Sequence, residues 1–230
     1  MALYDRDYNK VTYSQEETAG LSSVAFMKRT YQLLAASMIA AAAGAYATID
    51  YYQVVSDYKW AIFGFELFML FFGIGMTRGK PTLNLAALFV FTFTTGVSLV
   101  PLFAMLIGQG KGGVIGNAFL MTSVLFGALS LFAINSKKDF SSWGKPLFIT
   151  AIVILIASLI NAFVLQSPLI HIAITALVLL VFGLFTIYDT QNIANGAYDS
   201  AVDAALSLYL DFLNMFTSIL QLLGIFGSDE

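Results

Sequence analysis

The chain has 230 residues, of which 59% are hydrophobic and 11% charged, well under the share of about 25% charged residues that covers an average soluble domain. A net charge of −3 leaves no basic footprint for nucleic acid, and the absence of cysteine excludes disulfides, thiolate-held metals and thiol catalysis. One histidine cannot build a histidine-rich metal site, and the composition reads as an all-α polytopic membrane protein.

Residues 1–27 are polar, with Asp5, Arg6, Asp7, Lys10, Glu16 and Glu17, and lack the apolar core of a signal peptide. They read as a cytoplasmic tail ahead of a single membrane domain over 28–230. A bilayer core of about 30 Å takes roughly 20 apolar residues per helix. Seven such runs follow, near 30–49, 60–77, 83–107, 113–134, 146–165, 169–188 and 204–226. The breaks between them carry Gly, Pro, Asn and charged residues. Connections this short force neighbouring helices to run antiparallel in a compact bundle. In the first run Ala36, Ala40 and Gly44 form a row of small residues that lets another backbone approach closely. Gly108, Gly110 and Gly113 are spaced like a dinucleotide-binding loop, but no strand precedes them, and they read as a turn. His171 opens the sixth run and reads as a headgroup-facing residue.

Orientation follows from the basic residues. Arg6, Lys10, Lys28, Arg29, Arg78, Lys80, Lys137, Lys138 and Lys145 fall on the side of the N-terminus, against Lys59 and Lys111 on the other. The positive-inside rule therefore predicts a cytoplasmic N-terminus.

Beyond Lys145 the chain carries no Lys or Arg, while its last 85 residues hold six carboxylates. Asp189 closes the sixth run and Asp211 sits about two turns inside the seventh, so an antiparallel hairpin can bring them together near the cytoplasmic side. Any basic partner must come from earlier in the chain, and Arg78 is at the right depth. Ser207, Asp211, Asn214, Ser218 and Gln221 recur at helical steps and share one face. Such a stripe is costly against lipid and is expected to face the bundle interior or a water-filled path. Plainer readings stand beside these. Asp189 is a solvated loop residue if the helix ends earlier. Asp211 resists a loop placement, which would shorten the last span below about 17 residues, and its plainer reading is a purely structural role. Arg78 is an interfacial anchor if its side chain snorkels. Glu66, inside the second run, either turns outward to Lys59 or serves an outer vestibule.

The segments Phe182-Gly183-Leu184-Phe185-Thr186-Ile187-Tyr188-Asp189-Thr190-Gln191, Tyr209-Leu210-Asp211-Phe212-Leu213-Asn214 and Gln221-Leu222-Leu223-Gly224 closely resemble the Bax inhibitor family. This is the transmembrane Bax-inhibitor-motif group that includes the bacterial YccA-like and YetJ-like proteins. The seven runs and the polar tail extend the resemblance over the whole chain. It implies a seven-transmembrane-helix bundle with the last helix central, surrounded by the other six. It also implies a pH-sensitive calcium leak whose gate is an aspartate pair mapping onto Asp189 and Asp211, with Arg78 nearby and Glu66 on the ion path. The absence of a long extension and the short C-terminal tail resemble the bacterial members, for which an inner-membrane location is expected.

The chemistry agrees with that implication. Two carboxyl groups within hydrogen-bonding distance do not readily both ionise and can hold one shared proton. Ionised, they repel one another and become hard oxygen ligands. Calcium takes six to eight oxygens, so Asp189 and Asp211 alone would bind it weakly and transiently. The partners expected are membrane lipid, calcium and protons, with no tightly bound cofactor and no nucleic acid. A second function is regulatory, in which the chain binds and modulates a membrane protease without being an enzyme. A third, an intramembrane aspartyl protease, lacks the Gly-x-Gly-Asp turn that class needs, since Tyr209-Leu210 precedes Asp211.

Overall fold

The computed structural model describes the backbone of residues 5–77 and 80–226, and the side chains of residues 23–77 and 80–225. Seven helical segments are long and apolar enough to cross a membrane: Ser23–Asp57, Lys59–Met76, Pro81–Gly108, Gly113–Asn135, Ser141–Leu165, Pro168–Ala194 and Ala201–Ile225, here spans 1 to 7. No strand occurs among the described residues.

Breaks in the helices follow from local chemistry. Pro101 has no N–H to give back to the turn before it, and span 3 is divided at Leu99 into Pro81–Ser98 and Val100–Gly108. Span 5 ends in a π-helical turn, Asn161–Leu165. There the Asn161 amide accepts from the Ser167 N–H at 3.1 Å and donates to the Ser167 carbonyl at 3.2 Å, closing the hairpin into span 6. The glycines between spans 3 and 4 do form a turn, with Gly110 at φ +76°.

Span 6 runs to Ala194, past its expected end at 188, because its polar residues find protein partners rather than water. Thr190 donates to the Ser130 hydroxyl at 3.3 Å. Gln191 accepts from the Phe140 N–H at 2.7 Å and donates to the Lys138 carbonyl at 2.8 Å. The expected connection from Asp189 to Asp203 thereby shrinks to residues 195–200.

Contacts at the span ends fix the up-and-down order. On the face where span 1 begins, Ser23 donates to the Ala194 carbonyl at 2.9 Å. On the opposite face Lys111 donates to the Gly224 carbonyl at 3.0 Å, and Trp60 stacks on Phe163 at 5.6 Å.

Span 7 is the centre of the bundle. Half of its most apolar stretch is buried, against 6% for span 2. It packs on spans 1, 3, 4 and 6, while span 2 leans on span 3 and span 5 on span 6. Phe212 receives Phe119 and Phe126 edge-on, and Phe216 receives Phe103 and Phe119. Spans 2 and 5 turn Phe65, Phe68, Phe71, Val153, Ile156 and Leu159 outward, an arrangement suited to lipid. Because lipid is as apolar as these side chains, close packing rather than hydrophobic expulsion must join the helices. The small-residue row of span 1 supplies such packing. A methyl group at Gly44 would overlap the Phe93 carbonyl, and one at Gly96 of span 3 would overlap the Ala41 carbonyl.

Candidate functional site

The hairpin of spans 6 and 7 assembles the polar centre. Its six-residue connection is tight because Gly196 adopts φ +72°, a left-handed conformation open to glycine. The Gly196 N–H then reaches the Ile193 carbonyl at 3.2 Å and the Ala197 N–H the Asn192 carbonyl at 2.9 Å, ending the helix with its carbonyls satisfied. The chain so turned brings Tyr198 back beneath the bundle.

The carboxyl groups of Asp189 and Asp211 meet across the interface within hydrogen-bonding range. Both are buried, at 7% and 2% exposure, and the Asp211 Oδ2 has no hydrogen-bond partner among the described residues. Tyr198 donates its phenolic proton to the Asp189 Oδ1 at 2.9 Å. Having given that proton, the phenol oxygen takes its contact with the Ser207 hydroxyl, at 3.0 Å, as an acceptor. Burial pushes the Tyr198 phenol far above its ordinary range, and the neighbouring Asp189 charge pushes it further. Tyr198 is therefore a fixed donor: it keeps its proton at any physiological pH, and the carboxyl groups are the titrating members of the cluster. One turn along span 6, Thr186 donates to the Phe182 carbonyl at 2.9 Å and touches the Met215 sulfur at 3.4 Å.

The polar stripe of span 7 faces the interior, divided between two places. Ser207 and Asp211 join the aspartate cluster. Asn214, Ser218 and Gln221 line a cavity of about 340 Å³ toward the opposite face, shared with Asn161 of span 5 and His171 and Thr175 of span 6. His171, read from sequence as headgroup-facing, is thus both exposed and at this cavity. A larger cavity of about 780 Å³ opens on the N-terminal face, between Arg29 of span 1, Asn84 of span 3 and the Asp199–Asp203 segment.

Glu66 stands apart from the aspartates. It does not reach Lys59, whose ammonium lies 5.9 Å from the Trp60 ring centroid. Its Oε1 is buried with no hydrogen-bond partner among the described residues, since nearby Ser98 gives its proton to the Thr95 carbonyl at 2.9 Å. Beside it the Tyr209 phenol is hydrogen-bonded to Thr95, a second polar cluster around the same central helix. Arg78 lies outside the described residues. Among those residues no third carboxylate, histidine or cysteine joins the aspartates in a metal-binding group. Two carboxylates leave most of the six to eight calcium ligands to be found elsewhere.

Sequence reasoning missed Tyr198. Its signal was faint, an aromatic hydroxyl two residues beyond the Asn195-Gly196 turn pair. It also missed Gly96, the counterpart of the small-residue row, and the hydroxyls that spans 5 and 6 turn toward Asn214.

The sequence family described as inhibitor of apoptosis-promoting Bax1 matches residues 24–228. A Helicobacter pylori protein is 45% identical over the whole of both chains. A Campylobacter jejuni protein is 42% identical over 99% of this chain and all of its own. The Escherichia coli protein YccA, a modulator of FtsH protease, is 30% identical over 95% of this chain and 98% of its own. In another Escherichia coli strain the same relative is an inner membrane protein.

Proposed function

The chain belongs to the Bax inhibitor family, and on that premise we propose that it is a non-enzymatic regulator of the bacterial inner membrane whose working element is the Asp189–Asp211 pair. The comparisons favour modulation of a membrane protease, because the relative that carries that function aligns with 95% of this chain. The geometry favours a compatible activity, a pH-responsive leak for calcium, and the distribution of basic residues along the sequence supports an N-terminal face in the cytoplasm.

One observation carries the leak: two buried carboxyl groups face each other where the two most polar stretches of spans 6 and 7 meet. Sharing a proton, they tie the spans together. With both ionised, like charges about 4 Å apart repel by on the order of 4 kcal/mol at an effective dielectric of about 20, which moves a two-state equilibrium by about a thousandfold. Tyr198 cannot relieve that repulsion by titrating, so it acts on the helices or on a cation drawn between them. Both aspartates lie in unbroken helix, and neither has the glycine turn that would open the backbone to a substrate strand, which weighs against proteolysis by the pair.

Flux from calcium-loaded liposomes across a pH series tests the leak. Asp189→Asn and Asp211→Asn each remove one titrating partner at nearly constant shape. Each single variant is expected to lose most of the pH dependence, and the double variant to match the singles, because each breaks the same coupled pair. Wild-type pH profiles in both singles would overturn it. Modulation is tested by the lifetime of membrane-protease substrates in cells with and without the chain, and equal lifetimes would remove that reading.

A further inference from the structure

The cavity beyond Asn214 has a chemistry of its own, set by where its protons have gone. Ser158 donates its single hydroxyl proton to the Ile154 carbonyl at 2.8 Å, and Thr175 donates its own to the His171 carbonyl at 2.8 Å. Thr217 donates to the Asn214 carbonyl at 3.2 Å, and the Asn214 side-chain N–H to the Leu210 carbonyl at 2.7 Å. These four residues line one cavity and come from three different spans. A hydroxyl whose proton is held by its own helix presents lone pairs, and the Asn214 amide, with one N–H held, keeps its carbonyl oxygen and its second N–H.

We infer that this cavity is a binding site for a hard cation, held by neutral oxygens of Ser158, Thr175, Asn214 and Thr217. Oxygen ligands at a cavity wall replace part of a cation's hydration shell, and the remaining polar lining residues Asn161, His171, Ser218 and Gln221 are placed to hydrogen-bond the waters it keeps. With no carboxylate in the lining, the site holds its ion weakly and releases it readily, as a stop on a route requires. Asn214 lies three residues beyond Asp211 on the same face, a rise of about 4.5 Å along the helix. The role of the site as the stop before the aspartates rests on the leak reading. The binding does not.

The chain's one histidine lines the same cavity and serves as the reporter. Protein labelled with ¹⁵N-histidine, its affinity tag removed, is reconstituted in nanodiscs in the Asp189→Asn/Asp211→Asn background, where the aspartates are no longer anionic ligands. Manganese is the probe, and its paramagnetism should broaden the imidazole signals in the millimolar range of weak oxygen sites. Calcium should restore them. Thr175→Val with Thr217→Val removes two oxygens at nearly constant volume and should weaken manganese binding about tenfold, a loss of about 1.4 kcal/mol. Ser158→Ala, whose hydroxyl donates only to its own helix, tests the same site should the double valine variant fail to fold. No broadening, broadening that calcium does not reverse, or broadening indifferent to these substitutions would overturn the assignment. Liposomes that show binding without pH-dependent flux would refute the leak and leave the cation site standing.

Discussion

Replacing Tyr198 by phenylalanine isolates the contribution of the connection between spans 6 and 7. The change removes one oxygen and, with it, the 2.9 Å bond to Asp189 and the 3.0 Å contact with Ser207. A hydrogen bond to an ionised group contributes about 1.5 to 3 kcal/mol, and about 1.4 kcal/mol corresponds to one pH unit. Tyr198 favours the ionised form of the pair, so without its donor the carboxyl groups hold their proton to higher pH. The midpoint of the pH response in calcium-loaded liposomes is therefore expected to move upward by about one unit, the Ser207 hydroxyl replacing part of what is lost. Because the Tyr198 phenol is itself held far above its ordinary range, the group stays neutral and donating throughout. Its effect should be a displacement of the curve with no added titration step. A second prediction follows from the same sign. A raised phenol contributes stability that is fully present below its unfolded value near 10 and lost only above it. The phenol itself adds no pH dependence below about pH 9. The difference between the unfolding midpoints of wild type and Tyr198→Phe should therefore grow as the aspartate pair ionises and then stay level up to about pH 9. A Tyr198→Phe protein with the wild-type flux midpoint would show that the phenol does not act on the pair.

Two predictions concern the bundle. Gly96→Leu places a branched side chain where even a methyl group overlaps the Ala41 backbone. It should destabilise the protein by about 1 to 3 kcal/mol, read as a lower unfolding midpoint in detergent, whereas Gly64→Ala, with open space around it, should not. An unchanged midpoint in Gly96→Leu would refute the close approach of spans 1 and 3. Single cysteines report orientation cleanly because the chain has none of its own. Gln109→Cys should label from outside intact cells with an impermeant reagent, and Ser141→Cys only after permeabilisation. Equal labelling of both in sealed cells would refute the cytoplasmic N-terminus.

The number of spans, their alternation and the presence of two carboxylates in the last pair were all legible in the residues themselves. The reason is physical: a bilayer demands long apolar helices with every backbone group bonded internally, so hydropathy reports each helix independently of the others. Gly44 could be read for the same reason, since a small-residue row has one use between helices. The end of span 6 could not. Whether Thr190 and Gln191 continue a helix depends on Ser130, Lys138 and Phe140, more than fifty residues earlier, to satisfy their side chains. The stripe of span 7 was visible as a face, but its division into an aspartate cluster and a neutral-oxygen cavity depends on what spans 5 and 6 present to it. Tyr198 is the clearest case. In sequence it is one tyrosine among 11, and it becomes the donor to Asp189 only because the Gly196 turn folds it back under the helix it has just left. Periodicity describes one helix at a time; a hydrogen bond between two of them exists only once tertiary packing has brought both partners to the same place.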